Sequence, residues 1–280
     1  MPCRYFVVEW LEDDLESYIV RANSGLKESA EKLRVFNEAV LAVEAIHRNG
    51  IFHRDIKASN LRHRWDDEKR VVVAIDMGTA ARIDSGYLAL SYDAGPVGDL
   101  AYSSPESYGR LAGHRRVAPF TDIYGLGCLL FELFNPDHFY RQLEIRNPRI
   151  QLTYAAMATL VPINAKPKEQ IEGWRAAIEK FGPGFVPVEI DAPGSTVPLA
   201  IAAQLNGLLS RLTHVDYERR IADLGAVRAV LWPLIRALEN QEIYNRKLAR
   251  TRELRQKKLA AARERDERFK ARKTLTSGKC

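Results

Sequence analysis

The stretch that most limits what this chain can become is Cys128–Phe134, which continues Asp122-Ile-Tyr-Gly125-Leu-Gly127 and is apolar on every side of a helix. A helix with no polar face must be surrounded by protein or lipid. The longest apolar run, Ile123–Leu130, is too short to cross a bilayer. The rest of the 280 residues is therefore expected to wrap around a helix at Ile123–Phe134. A chain of this length, 46% hydrophobic and 28% charged, suits an ordinary globular protein of one large or two small domains. Cys3, Cys128 and Cys280 are far apart and odd in number, which fits neither a disulfide framework nor a zinc site and points to a reducing compartment. Met1–Trp10 carries Arg4 and Glu9 and reads as a strand, not as a signal peptide.

The net charge of +6 is unevenly placed. Residues 241–280 hold 14 Lys or Arg against 5 Asp or Glu, a balance of +9, so the other 240 residues sum to −3. The basic character belongs to a tail, and the globular body is slightly acidic. Asn245–Lys273 is rich in Arg, Lys, Glu and Ala without a sustained heptad, and is expected to be a solvent-exposed helix or a disordered tail. Weak, salt-sensitive binding of an acidic partner or nucleic acid is the function such a charge run offers.

The chemistry is concentrated in Ile51–Leu61, IFHRDIKASNL. Phosphoryl transfer needs a carboxylate to orient a hydroxyl, a cation beside the transferred group and an oxygen ligand for Mg²⁺. Asp55, Lys57 and Asn60 supply these in that order. The stretch resembles the catalytic loop of the eukaryotic-type protein kinases, H-R-D-x-x-x-x-N, and Lys57 two places after the Asp resembles the Ser/Thr branch.

Further motifs follow in the family's order. Val71–Ile75 is a β-branched run that delivers Asp76-Met77-Gly78, similar to D-F-G, with Asp76 in the place of a Mg²⁺ ligand and Met77 expected as an apolar plug beneath it. Gly98-Asp99-Leu-Ala-Tyr-Ser-Ser104-Pro105-Glu106 resembles the G-T-x-x-Y-x-A-P-E close of the activation segment; Ser104 replaces the Ala, and Asp99 replaces the Thr and either pairs with Lys57 or repels Asp55. Asp122 matches the Asp that holds the catalytic-loop backbone, and Arg220 matches the Arg that pairs with Glu106. His53 and Arg54 take regulatory or structural places; Arg54 is expected to bind a phosphate on Ser91, or failing that Ser85. Upstream, Tyr5–Val8 and Glu9-Trp10-Leu11 resemble a kinase hinge. The resemblance implies ATP contacts from Glu9, Leu11, Asp14 and Leu61, with Val8 as gatekeeper.

The implied fold is mainly α: a protein-kinase-like large, C-terminal lobe with short β-strands at the hinge and catalytic loop, spanning residues 1–238, with an irregular insertion at 137–198 and a tail from 239 to 280. Helices are expected at Leu15–Val20, Lys27–Asn49, Glu169–Phe181, Pro198–Leu212 and Leu224–Leu238, with Asn49-Gly50 capping the second. His47 is read as a helix-terminus residue without chemistry. The implied activity is transfer of the ATP γ-phosphoryl to Ser or Thr of a protein substrate with Mg²⁺, at an intracellular, cytoplasmic or nuclear location and with no membrane partner.

Two departures stand against that activity. No G-x-G-x-x-G precedes the hinge, and the first lysine is Lys27, so the small lobe's phosphate clamp is missing. Arg62 stands where the family places an apolar residue beneath adenine. The alternative is a non-catalytic, pseudokinase-like binding or scaffold module. On either reading, a kinase truncated or incomplete here or such a module, residues 1–280 alone are expected to bind ATP weakly or not at all, to transfer no phosphate, and to self-associate through Tyr5–Val8.

Overall fold

The structure, a computed structural model, describes residues 11–26, 28–66, 69–82 and 98–277. The expected hinge strand, with Val8 and Glu9, and the phosphate-accepting Ser85 and Ser91 lie outside the described residues. The chain divides into two units, Met1–Leu234 and Ile235–Cys280.

The first unit is mainly helical and built on α4, Ala118–Glu132. Every residue from Thr121 to Glu132 is buried, the carboxylates of Asp122 and Glu132 included, so the helix is enclosed on all sides as its apolar run requires, but it is not apolar throughout. The helix begins five residues before Ile123, with Pro119 in its first turn, so Asp122 lies inside it and not at its start. Two glycines let neighbours approach. A Cβ at Gly125 would stand 2.5 Å from the Ile56 carbonyl oxygen, and one at Gly127 would stand 2.4 Å from Thr213 Cγ2. The catalytic loop thus presses on one side of α4, and the end of α8 (Leu199–Leu212) presses on another.

Short α1 (Leu15–Arg21) is capped by Asp14, which accepts from Ser17 N. Then α2 (Ser29–Arg48) buries Leu33, Phe36, Val40 and Val43 against α4 and β3. The left-handed turn after α2 falls on Gly50 (φ 66°), while Asn49 keeps φ −92°. The strands form two antiparallel pairs. β1 (Ile51–Phe52) joins β4 (Ala81–Arg82), and β2 (Leu61–Asp66) joins β3 (Lys69–Ala74) in a register of Leu61 with Ala74.

The segment 137–198 is more regular than its Pro and Gly content suggests. After the four-residue α3 (Pro105–Tyr108) and α4 come α5 (Phe139–Arg146), α6 (Ile150–Ala158) and α7 (Pro167–Phe181). The turn residues are confined to the joints and to 182–198, and α7 buries Ile171, Trp174 and Ala177 on one face. α9 is recorded over Leu224–Ser277, so the basic tail takes the helical of its two expected forms. Among the described residues no helix is long and apolar enough to cross a membrane.

Candidate active site

The catalytic-loop backbone hangs from one buried carboxylate. Asp122 is fully buried in α4, and its oxygens accept from His53 N at 2.8 Å and Arg54 N at 2.6 Å. His47 Nε2, on the last turn of α2, lies 2.8 Å from the same carboxylate. Sequence reasoning missed this role for His47; the signal available was a histidine four residues before the β1 strand that enters the loop. Arg54 is held at φ 65°, a conformation that costs a non-glycine residue of order 1–3 kcal/mol unless its surroundings impose it. They do: Arg54 donates through Nε to Thr79 O at 2.7 Å, and Thr79 Oγ1 donates to His53 O at 2.8 Å.

From that anchor the loop brings three side chains together. Asp55 Oδ2 accepts from Asn60 Nδ2 at 2.9 Å and lies 3.3 Å from Lys57 Nζ, while its Oδ1 accepts from Asp99 N at 3.0 Å. Asn60 Nδ2 also donates to Asp55 O at 3.0 Å, closing the 3-10 turn Ala58–Asn60. Gly98, at φ 78°, packs against the same carboxylate: a Cβ there would stand 2.4 Å from Asp55 Oδ1. The extra carboxylate of Asp99 turns away from Asp55. Its Oδ1 accepts from Ala101 N at 2.9 Å, and its Oδ2 approaches Lys57 Nζ only to 3.9 Å.

Asp76 stands where β3 runs out, exposed and left-handed at φ 58°, with Gly78 N donating to its Oδ1 at 3.3 Å. Two bonds tie this end to the loop: Ile75 N donates to Asn60 O at 2.9 Å, and Ile75 O lies 2.7 Å from His53 Nε2. Among the described residues no three His, Cys, Asp or Glu cluster as a metal site. Asn60 and Asp76 are the oxygen donors at hand, and because the amide nitrogen of Asn60 is spent on Asp55, its carbonyl oxygen is the atom left for a cation.

Two expectations, for Leu61 and Met77, need correction. Leu61 is fully buried beside α1, because strand alternation turns it inward and Arg62 outward, so it offers no surface to a nucleotide. Met77 is 43% exposed; it opens a surface 3-10 turn and plugs nothing among the described residues. Asp14 is engaged as the α1 cap. The Ser17 N–H holds its carboxyl below the usual range, and Arg62 lies 3.8 Å away. Arg62 also donates to Glu12 O at 3.3 Å, and Leu11 beside it is half-buried.

Below the loop, Arg220 and Glu106 form a two-pronged pair at 2.6 and 2.8 Å, both side chains fully buried. Arg220 further donates to His214 O and Phe120 O and lies over the Tyr124 ring. Those extra bonds answer the desolvation that makes buried pairs costly. Another group was not foreseen: Tyr102 donates its hydroxyl to buried Glu132, whose other oxygen lies 2.9 Å from His138 Nδ1. Burial pushes the Tyr102 phenol up, and the bond to Glu132 raises the His138 imidazole.

Residues 2–231 match the family model of the protein kinase domain. The chain belongs to the protein kinase family. It is 31% identical to the probable serine/threonine-protein kinase PknB of Bifidobacterium longum over 129 residues, 46% of this chain and 18% of that protein. It is 34% identical to eukaryotic translation initiation factor 2-alpha kinase 3 of Bos taurus over 149 residues, 49% of this chain and 12% of that protein. It is 30% identical to serine/threonine-protein kinase PknB of Mycobacterium tuberculosis H37Rv over 132 residues, 47% of this chain and 20% of that protein. These alignments span a fifth or less of the length of the curated relatives, and about half of this protein kinase family chain.

Proposed function

We propose that this protein carries the phosphoryl-transfer half of a protein Ser/Thr kinase, moving the ATP γ-phosphoryl to a protein Ser or Thr hydroxyl. The observation that carries the reading is the Asp55 carboxylate, buried to 9% exposure yet fixed by Asn60, Lys57 and the Asp99 N–H on a loop suspended from Asp122. A carboxylate held this way accepts a hydrogen bond from an incoming hydroxyl at a set angle, and positioning is most of what this reaction asks of a protein. Lys57 sits beside it to offset charge on the transferring group. Asn60 and Asp76 would hold Mg²⁺, which supplies neutralisation of the phosphate oxygens when bound.

The test is transfer of labelled phosphate from ATP to a randomised Ser/Thr peptide mixture, by the protein in full-length context, where a phosphate clamp is supplied, and by its Asp55→Asn variant. The expected result is a fall in kcat of several orders of magnitude with little change in nucleotide affinity, because Asp55 acts on the hydroxyl and not on the nucleotide. Equal rates for the two proteins overturn the assignment.

A second reading, a binding module without catalysis, has its own support. Arg62 reaches across to Glu12 O and Asp14, putting a cation at the wall where the family resemblance puts an apolar contact with adenine. Nucleotide titration with and without Mg²⁺ separates the two: no binding in either condition favours the module.

A further inference from the structure

The helical tail carries a pattern that no seven-residue register shows. Set one above another, Glu242–Arg252, Glu253–Arg263 and Glu264–Thr274 repeat at an interval of 11 residues. Glu242, Glu253 and Glu264 stand first in each. Arg246, Lys257 and Arg268 stand fifth, and Ala249, Ala260 and Ala271 eighth. Eleven residues make about three turns of α-helix, so each position returns to nearly the same side of α9.

The interval sorts the charges. Glu242, Glu253, Glu264 and Glu267, four of the five acids in 241–280, fall within about 60° of the helix circumference, on the stripe that the three alanines share. Asp266 is the exception. The stripe is answered within the helix itself: Glu253 meets Lys257 at 2.6 Å, and the repeat puts a cation one turn after each leading Glu. Five further cations, Arg250, Lys247, Lys258, Arg255 and Arg252 in order around the axis, occupy the other side over about 200°. None of the five forms an ion pair among the described residues, and every residue from Ile243 to Ala260 is exposed.

That arrangement chooses among polyanions. A lipid surface needs one apolar face, whereas Leu254 stands about 120–140° round from Leu248 and Leu259. An acidic protein surface reaches one side of a helix and would leave much of so wide a cationic arc unanswered. Duplex DNA answers both flanks at once: its major groove, about 12 Å wide, admits a helix about 10–12 Å across between the phosphates of two strands. The major groove of duplex RNA is too narrow and deep for this.

We propose that the tail helix is a sequence-independent binding element for duplex DNA, with the cationic arc toward the phosphates and the Glu–Ala stripe toward solvent. Binding of this kind is driven by release of counterions from phosphate and falls steeply with salt. It asks nothing of the catalytic loop.

The experiment titrates the whole chain into fluorescein-labelled, mixed-sequence duplex DNA and follows anisotropy at several salt concentrations. Saturable binding that weakens log-linearly with salt is expected, and deletion of 245–280 should abolish it. The deciding variant exchanges two exposed charges, Glu253→Lys with Lys258→Glu, and leaves the net charge unchanged. It moves an acid into the cationic arc, and is expected to bind about tenfold more weakly with a salt slope shallower by about one. Lys247→Gln with Arg255→Gln, which keeps every Glu in place, should weaken binding at least as much. Ala249→Gln with Ala260→Gln, on the opposite stripe, should leave affinity unchanged. All six positions are exposed and receive good helix formers, so the helix should persist in far-UV circular dichroism. The proposal is overturned by a charge-exchanged variant that binds as tightly as the parent, or by binding that survives deletion of 245–280. It is overturned equally by duplex RNA, polyglutamate or anionic vesicles binding at least as tightly as duplex DNA at the same salt.

Discussion

The catalytic loop and the tail are both dense in charge, and they use it in opposite ways. In the loop each charge meets a partner that is itself fixed: Asp122 is fully buried, Asp55 is 9% exposed, and their donors are backbone N–H groups and short side chains. In the tail a representative pair is Lys257 with Glu253, at 2.6 Å and one helical turn apart, with side chains 71% and 62% exposed. Coulomb attraction at similar distance is far weaker in water than in a protein interior. Density of charge therefore says little about structural worth; the burial of the partner decides it, and the comparison can be broken by mutation.

The largest effect is expected at Asp122. Asp122→Ala removes the acceptor for two backbone N–H groups and leaves His47 facing an apolar gap. The cost is expected at about 3–5 kcal/mol, as for a buried charge whose partner is lost. Chemical denaturation measures it, and a loss below about 1 kcal/mol would place the loop's anchor elsewhere.

Arg220→Met comes next. It strands the Glu106 carboxylate in the interior and frees the carbonyls of His214 and Phe120, but Met keeps contact with the Tyr124 ring. A loss of about 3 kcal/mol is expected. Changing both partners, Glu106→Gln with Arg220→Met, should recover part of it, because no unpaired charge then remains. Failure to recover any would mean that the carbonyl bonds, not the pair, carry the cost.

Lys32 sharpens the contrast from the other side, as a buried charge with no acid partner among the described residues to answer it. It is 1% exposed, donates to Thr196 Oγ1 at 2.8 Å and lies over the Phe134 ring at 5.2 Å. Burial pulls its ammonium down from 10.5 to about 8. Between those values the unfolded state holds the proton and the folded state has released it, so stability rises with pH from about 8 to 10.5. Lys32→Met should add on the order of 2 kcal/mol at pH 7 and flatten that rise. Urea midpoints at pH 7 and pH 10 that move in parallel for parent and variant would contradict it.

How much of this was legible in the sequence follows the same line. The loop, the central helix and the Glu106–Arg220 correspondence were readable because each needs residue types that other folds do not supply at that spacing. Asp122, Gly125 and Gly127 sit in one short stretch because a carboxylate must reach the loop while two backbones press on the same helix. The part played by His47 was hidden, since one histidine at a helix end looks like any other until Asp122 is placed beside it. Leu61 was misjudged in facing, while its neighbour Arg62 is the one turned outward as its place beneath adenine requires: a one-residue offset on a strand exchanges the buried and the exposed side. Within 137–198, α7 was foreseen to within two residues of its start, where Pro167 serves the first turn, but α5 and α6 were obscured by prolines that sit in the joints and break no helix.

The smallest effect is expected at the tail. Leu248, Leu254 and Leu259 are 37%, 52% and 63% exposed, so their removal returns little apolar area to water. Pairs of the Lys257–Glu253 kind contribute only a few tenths of a kcal/mol each and are screened by salt. We propose that 245–280 is dispensable for the stability of the rest of the chain. Deleting it should lower the far-UV helical signal in proportion to the residues removed while leaving the melting temperature nearly unchanged. For a domain of this size roughly 1 kcal/mol corresponds to about 2–4 °C, so a fall of more than about 5 °C would mean that the tail's charges do have fixed partners. Repeating the melt at high salt decides the cause. A loss that salt abolishes comes from exposed charge, whereas a loss that persists comes from packing, and in that case the tail would belong with the catalytic loop in the comparison.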